Sequence, residues 1–246
     1  MARSGLTAGT IRVTLLAFAA LAAAASGARA QGLTVIPVTI NMAPGQQAAV
    51  LTVENHEQSD ASFQVRAFAW SERDGHQQLD PTTDVLASPP LGSIAASGVQ
   101  VVRIVLRRAP KDREATYRIL LDQIPPPAKA GSVNIVLRQS LPVFAQPQAR
   151  VAAHLAWRVE RDAGHTYLVA TNDGTKHESV RDIVLTTAAG APVKVEGRTL
   201  PYVLAGSFKR WQIDFAPGAP AGAGLRLAAR SDGGPIETNV PIPASP

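Results

Sequence analysis

The side chains able to do chemistry are sparse in this sequence, and their spacing is unhelpful to an enzyme. The five histidines are His56, His76, His154, His165 and His177. None stands at a metal-ligating spacing such as H-x-H or H-x-x-x-H from another. His56 and His76 lie in polar, turn-like stretches and His177 follows a turn, so each histidine is expected to be a solvated loop residue. Cysteine is absent, which removes thiolate nucleophiles and soft-metal sites, so no metal and no cofactor is expected. A serine hydrolase of the elbow type needs a strained G-x-S-x-G turn. Gly92-Ser93 and Gly206-Ser207 lack the second flanking glycine. Nothing singles out a catalytic pair among the 19 acidic residues. Gly218–Gly224 is glycine-rich but has no lysine and opens no helix, so it reads as a connector and not a phosphate cradle. The sequence is therefore read as non-enzymatic.

The remaining candidate for function is a strand. Gly131–Ala145 reads G-S-V-N-I-V-L-R-Q-S-L-P-V-F-A, with Val133, Ile135 and Leu137 on one face and Asn134, Val136 and Arg138 on the other. It is longer than an ordinary strand of about five or six residues. Pro142 cannot donate to a ladder and points to an edge or a bulge. A long apolar edge strand invites pairing with another chain. Either the fold covers it or covering it is its function.

Around that strand the chain is patterned for β structure. Leu51/Val53 and Phe63/Val65 alternate with polar neighbours, and Val99–Leu106 and Tyr117–Leu121 are further extended runs. A second series follows Pro147-Gln148: Leu155–Val159, Thr166–Ala170, Val180–Thr186, Val193–Val195, Phe208–Phe215, Leu225–Ala229 and Ile236–Ile242. Period-two runs separated by turn residues argue for β-sandwiches. Asn172-Asp173-Gly174 and Asp232-Gly233-Gly234 supply turns.

The N-terminus reads as an export signal. Arg3 and Arg12 precede an apolar run from Val13 to Ala25, and Ala28-Arg29-Ala30 offers small residues at the cleavage positions. The run is shorter than the roughly 20 residues a membrane span needs, and no later segment is a candidate, so no membrane span is expected. Residues 1–30 carry three arginines and no acid, so the formal charge of +5 falls to +2 without them. The remaining basic residues form no stripe, and nucleic acid is not an expected partner. The expected organisation is a cleaved signal peptide at 1–30, a first domain at 31–147 carrying the long strand, and a smaller sandwich at 148–246.

One stretch is specific enough to compare. Asp112-Arg113-Glu114-Ala115-Thr116-Tyr117-Arg118, running on to Gln123-Ile124-Pro125, resembles the strand motif of the PapD-like periplasmic chaperones of pilus assembly. Ala43-Pro44-Gly45 and Ser88-Pro89-Pro90-Leu91 support the resemblance. Asn172-Asp173-Gly174 and Leu204-Ala205-Gly206-Ser207 with Trp211 are similar to the archaic-type, spore-coat-like branch. The resemblance implies an all-β chain of two Ig-like sandwiches set at an angle. It also implies a location in the periplasm, pilus subunits as clients and an outer-membrane usher as the receiving partner. The mechanism implied is donor-strand complementation, in which Val133, Ile135 and Leu137 fill the open core of a subunit.

The pattern departs from the family at the cations that usually hold the subunit's terminal carboxylate. Thr39 and Pro142 stand at those two positions. Arg138, on the strand parity of Pro142, is the nearest substitute. Arg118 and Arg66 are alternatives, each otherwise read as a solvated residue. The competing expectation is a secreted Ig-like structural or adhesive protein that assembles through the same edge.

Overall fold

In the computed structural model the described residues are 32–242, except 74, 126, 128–130, 132–135, 198–199 and 216–223. The expected signal peptide lies outside them, as do Val133 and Ile135. Among the described residues there is no helix. Among these residues eighteen strands form three sheets.

The first sheet has the order β1 (Leu33–Ile36), β3 (Ala48–Asn55), β8 (Val99–Leu106), β6 (Val85–Ser88). The second runs β2 (Ile40–Met42), β10 (Arg138–Ala145), β9 (Ala115–Ile124), β4 (Ala61–Arg73), β5 (His76–Pro81), with β7 (Leu91–Ile94) also on β4. The period-two pattern explains the layers. Leu51 and Val53 of β3, Val102 and Ile104 of β8, Phe63 and Val65 of β4, Ile119 and Leu121 of β9, and Leu141 and Val143 of β10 all enter one core. The chain changes sheet between β1 and β2, so β2 lies parallel to β10, pairing Ile40–Met42 with Val143–Ala145.

The remaining strands form one eight-stranded sheet: β11 (Leu155–Asp162), β12 (His165–Asn172), β16 (Phe208–Asp214), β14 (Pro192–Val195), β13 (Glu178–Thr187), β17 (Gly224–Ser231) and β18 (Gly234–Pro241), with β15 (Tyr202–Val203) on β13. Their inward residues, among them Leu168, Leu185, Trp211, Leu225 and Val240, form a second core. Each strand run read from the second half of the sequence is present, and β15 is added to them.

Asn172 ties the turns of this second sheet together. Its Oδ1 accepts from the main-chain N–H of His154 and of Gly174, both at 3.1 Å. Its Nδ2 donates to the carbonyls of Lys176 at 2.8 Å and Val203 at 3.0 Å. The backbone packs so closely here that a Cβ on Gly174 would lie 2.4 Å from the Ala152 carbonyl oxygen. That approach is why the turn reads Asn-Asp-Gly. Asn172→Ala removes the side-chain partner of these main-chain groups, the Val203 carbonyl among them buried, and is expected to lower stability by about 3 kcal/mol, seen as a lower urea midpoint with an unchanged slope.

Candidate functional site

The two faces of the β2–β10–β9–β4 sheet have different fates. The odd-numbered residues of β9 and β10 fill the core. The even-numbered ones form rows across the opposite face. Phe144 lies opposite Thr116, Pro142 opposite Arg118 and then Phe68, Ser140 opposite Leu120 and then Arg66, and Arg138 opposite Asp122 and then Gln64. A purely solvated face would leave these side chains exposed. Instead Arg118 is 1% exposed, and Trp70 and Phe144 are buried with Leu204, the partly buried Tyr202 packing against them, both from the second half of the chain.

Arg118 sits at the centre of this covered region. Its guanidinium lies over the Trp70 ring at 3.8 Å and 6.0 Å from the Tyr202 ring centre. Nη1 reaches the Ser140 carbonyl at 3.5 Å, while Nε and Nη2 are buried without hydrogen-bond partners. Burial pushes the Arg118 pKa down, with Tyr202 and Glu72 opposing the shift. The expectation of a solvated Arg118 is therefore corrected. Its position on the strand is outward, but the segment around Tyr202 covers that face.

The other candidate cations are placed differently. Arg138 and Arg66 both grip Asp122, Arg66 at 2.6 Å. Burial raises the Asp122 pKa, but the two arginines outweigh it and hold the carboxyl below its usual range. Thr39 lies near Arg118's neighbourhood, its Oγ1 3.4 Å from the Tyr202 hydroxyl. Pro142 is buried in β10 directly opposite Arg118. The structure thus sets Pro142 opposite Arg118 and Thr39 beside the Tyr202 that covers it, and leaves Arg138 and Arg66 at the next ion pair along the sheet.

β10 also shows where the apolar ladder leaves the protein's own core. Ala145 and Val143 are fully buried and Leu141 nearly so, but Leu137 on the same parity is 47% exposed. On the side away from β9, β2 pairs only with Val143–Ala145. Among the described residues the edge of β10 is open over Arg138–Pro142. The strand expected from Gly131 begins at Arg138, and the Leu137 carbonyl accepts the Gln123 N–H at 3.1 Å.

One histidine departs from its expected role. His177 is 6% exposed. Its Nδ1 lies 2.6 Å from Glu114 Oε1, which also accepts the His177 main-chain N–H at 3.1 Å. Its ring stacks on Phe144 with centroids 3.5 Å apart. Glu114 belongs to the Asp-Arg-Glu motif, so the motif's carboxylate joins the two β units. The partner histidine sits far along the chain, and no local pattern marks it. Trp70 carried a readable signal: it breaks the parity of Phe63 and Val65, placing a large apolar ring on the outward face. Among the described residues, no group of acidic and histidine side chains is arranged to hold a metal ion.

Comparison with known proteins bears on these features. Residues 32–150 match the family described as pili and flagellar-assembly chaperone, PapD N-terminal domain. The chaperone protein FaeE of Escherichia coli is 28% identical over 109 residues, 42% of this chain and 39% of that protein. The chaperone protein ClpE of Escherichia coli is 26% identical over 111 residues, 43% of this chain and 39% of that one. The match thus spans about two fifths of the length of these relatives. Among solved structures, the CsuC–CsuE chaperone–tip adhesion subunit complex from the archaic chaperone-usher Csu pili of Acinetobacter baumannii has a TM-score of 0.65 at 18% identity, covering 87% of this chain and 100% of that one. The Salmonella enterica SafA pilin–SafB chaperone complex gives a TM-score of 0.61 at 19% identity, covering 87% of this chain and 99% of that one. The fold is that of these two-domain Ig-like proteins.

The Asp122 pair can be tested by titration. Its folded pKa is depressed, so its stabilising contribution is complete above the unfolded value of about 3.9 and is lost as pH falls through the folded value. Asp122→Asn is expected to lower stability by about 1 kcal/mol at neutral pH. In denaturant melts the gap between variant and parent should close as the pH drops below about 4.

Proposed function

With residues 32–150 belonging to the PapD N-terminal domain family, we propose that this protein is a periplasmic chaperone that binds pilus subunits by donor-strand complementation and passes them to an outer-membrane usher. The observation that carries the reading is the apolar face of β10 running out of its own core. Leu141, Val143 and Ala145 anchor the strand inside the sandwich, and beyond the polar Gln139 the same parity brings Leu137 into solvent beside a strand edge that is unpaired among the described residues. Such an edge offers main-chain hydrogen bonds, and alternate side chains then supply pockets and specificity. Val133, Ile135 and Leu137 are the proposed donor residues. Burying each contributes roughly 1.5–3 kcal/mol before association costs.

Arg118 is the proposed anchor for the subunit's terminal carboxylate. Two of its donors lack partners, and an unpaired buried guanidinium is costly. A carboxylate matches the geometry of that fork. Arg138 is already engaged by Asp122, which makes it the weaker candidate. The division into a signal at 1–30, a strand-donating domain at 31–147 and a second sandwich at 148–246 is part of the same proposal. Separate cores on the two sides of Pro147-Gln148 support it.

Two variants test this when the protein is co-expressed with candidate subunits encoded beside it. Leu137→Arg with Ile135→Arg should leave a folded chaperone but abolish subunit accumulation. Arg118→Gln should weaken subunit binding about tenfold or more, and Arg118→Lys should recover part of the loss. Normal subunit levels with the double variant would remove the donor-strand assignment. Unchanged affinity in Arg118→Gln would remove the anchor.

A further inference from the structure

Gln139 interrupts the apolar row of β10 at the point where the strand leaves its own sandwich. It has the inward parity of Leu141 and Val143, both buried, and lies opposite the buried Leu121 of β9. An amide among such neighbours needs a partner. Its Nε2 donates to the carbonyl of Leu33, at the start of β1, at 2.7 Å. β1 and β10 belong to different sheets, so this bond ties the two sheets together across the end of the core. It does so beside the stretch Arg138–Pro142, where the edge of β10 is open among the described residues. Two residues earlier Leu137 already stands in solvent. Gln139 thus marks the border between the rooted part of the strand and the part that can be lent.

A client strand pairing with this edge could sit in several registers, and the alternation of side chains decides among them. In one register Val133, Ile135 and Leu137 all enter the client. A slip of one residue presents Asn134, Val136 and Arg138 instead, two of them polar. A slip of two toward the tip replaces Leu137 by Gly131 in the set. Gly131 has no side chain to offer, and its φ of +79° interrupts an extended strand. A slip of two toward the root draws Gln139 into an apolar pocket, which breaks its bond to Leu33 and leaves the amide without a partner. We infer that Gln139 is the register stop of the lent strand, a positioning residue that confines the face offered to a client to Val133, Ile135 and Leu137. This rests on the reading of those three as the donor residues. With leucine at position 139 the lent face would join Leu141 and Val143 in one unbroken apolar row, and the slip toward the root would lose its penalty.

The test uses the full chain co-expressed with the subunit, encoded beside it, that the accumulation assay identifies. The chain has no cysteine of its own. Val136→Cys therefore places a single thiol on the face opposite the donor residues. Single cysteines set in turn along the subunit strand that borders its groove then report the register as the position that forms the disulfide. With Gln139 in place one position should dominate those two residues away by about tenfold or more. Gln139→Leu should bring the position displaced by two residues to within about threefold of the first. Gln139→Asn keeps an amide and should hold the single register, and thermal melts of the free variants check that each is folded. A single unshifted register in Gln139→Leu overturns the inference. So does a spread of positions with Gln139 in place, or in Gln139→Asn. If Arg118→Gln spreads the adducts and Gln139→Leu does not, the carboxylate anchor alone sets the register, and the donor-strand reading survives without the stop. Normal accumulation in the double variant at Ile135 and Leu137 is a separate result, and it removes the donor-strand reading itself.

Discussion

A guanidinium buried without a full set of partners is the constraint around which this molecule is arranged. Removing an arginine from water costs several kcal/mol unless other groups replace its hydration. Arg118 recovers part of that from the Trp70 face beneath it and from the Ser140 carbonyl. Two of its donors remain open. That position is tenable because β9 is the central strand of its sheet, paired along both sides with β4 and β10. The strand holding the charge is thus among the least able to move.

The cover over Arg118 also packs side chains from the two halves of the chain together. Phe144, Trp70 and Tyr202 pack as tilted and edge-on rings with centroids 5.2–5.9 Å apart. His177 stacks on Phe144 and is fixed by Glu114 through both its ring and its main chain. β10 therefore has two distinct ends. Its C-terminal end is clamped by the core, by β2 and by the His177 stack. Its N-terminal end, at Leu137, is apolar and open. The open tip is also the liability that an exposed edge normally carries.

Much of this was legible in the sequence because strand structure has a short period. The alternation in Leu51/Val53, Phe63/Val65 and Ile119/Leu121 states which face is buried without reference to anything distant. The same alternation singled out the β10 segment, and the Asp-Arg-Glu stretch marked the strand that carries Arg118. Leu137 was read as part of an apolar face, and the structure adds that it stands in solvent, separated from the core residue Leu141 by the polar Gln139. The short strands β5, β6, β7 and β15 were not separately readable. Their placement depends on the strands they pair with, not on their own patterning.

The amino-acid sequence by itself determined the all-β architecture and the absence of thiol chemistry, since each follows from residue type and local spacing. Only the tertiary structure decided the fate of individual charges. Arg118 and Arg138 share a face and look alike as outward residues. One is sealed under Tyr202 and Leu204 from the other half of the chain, and the other is neutralised by Asp122 across one strand. His177 reads as a turn histidine and is in fact a buried clamp, because its partner Glu114 precedes it by 63 residues. The physical reason is common to all three. Burial and charge pairing are set by what lies opposite in space, and in a β fold that neighbour is often remote in the chain.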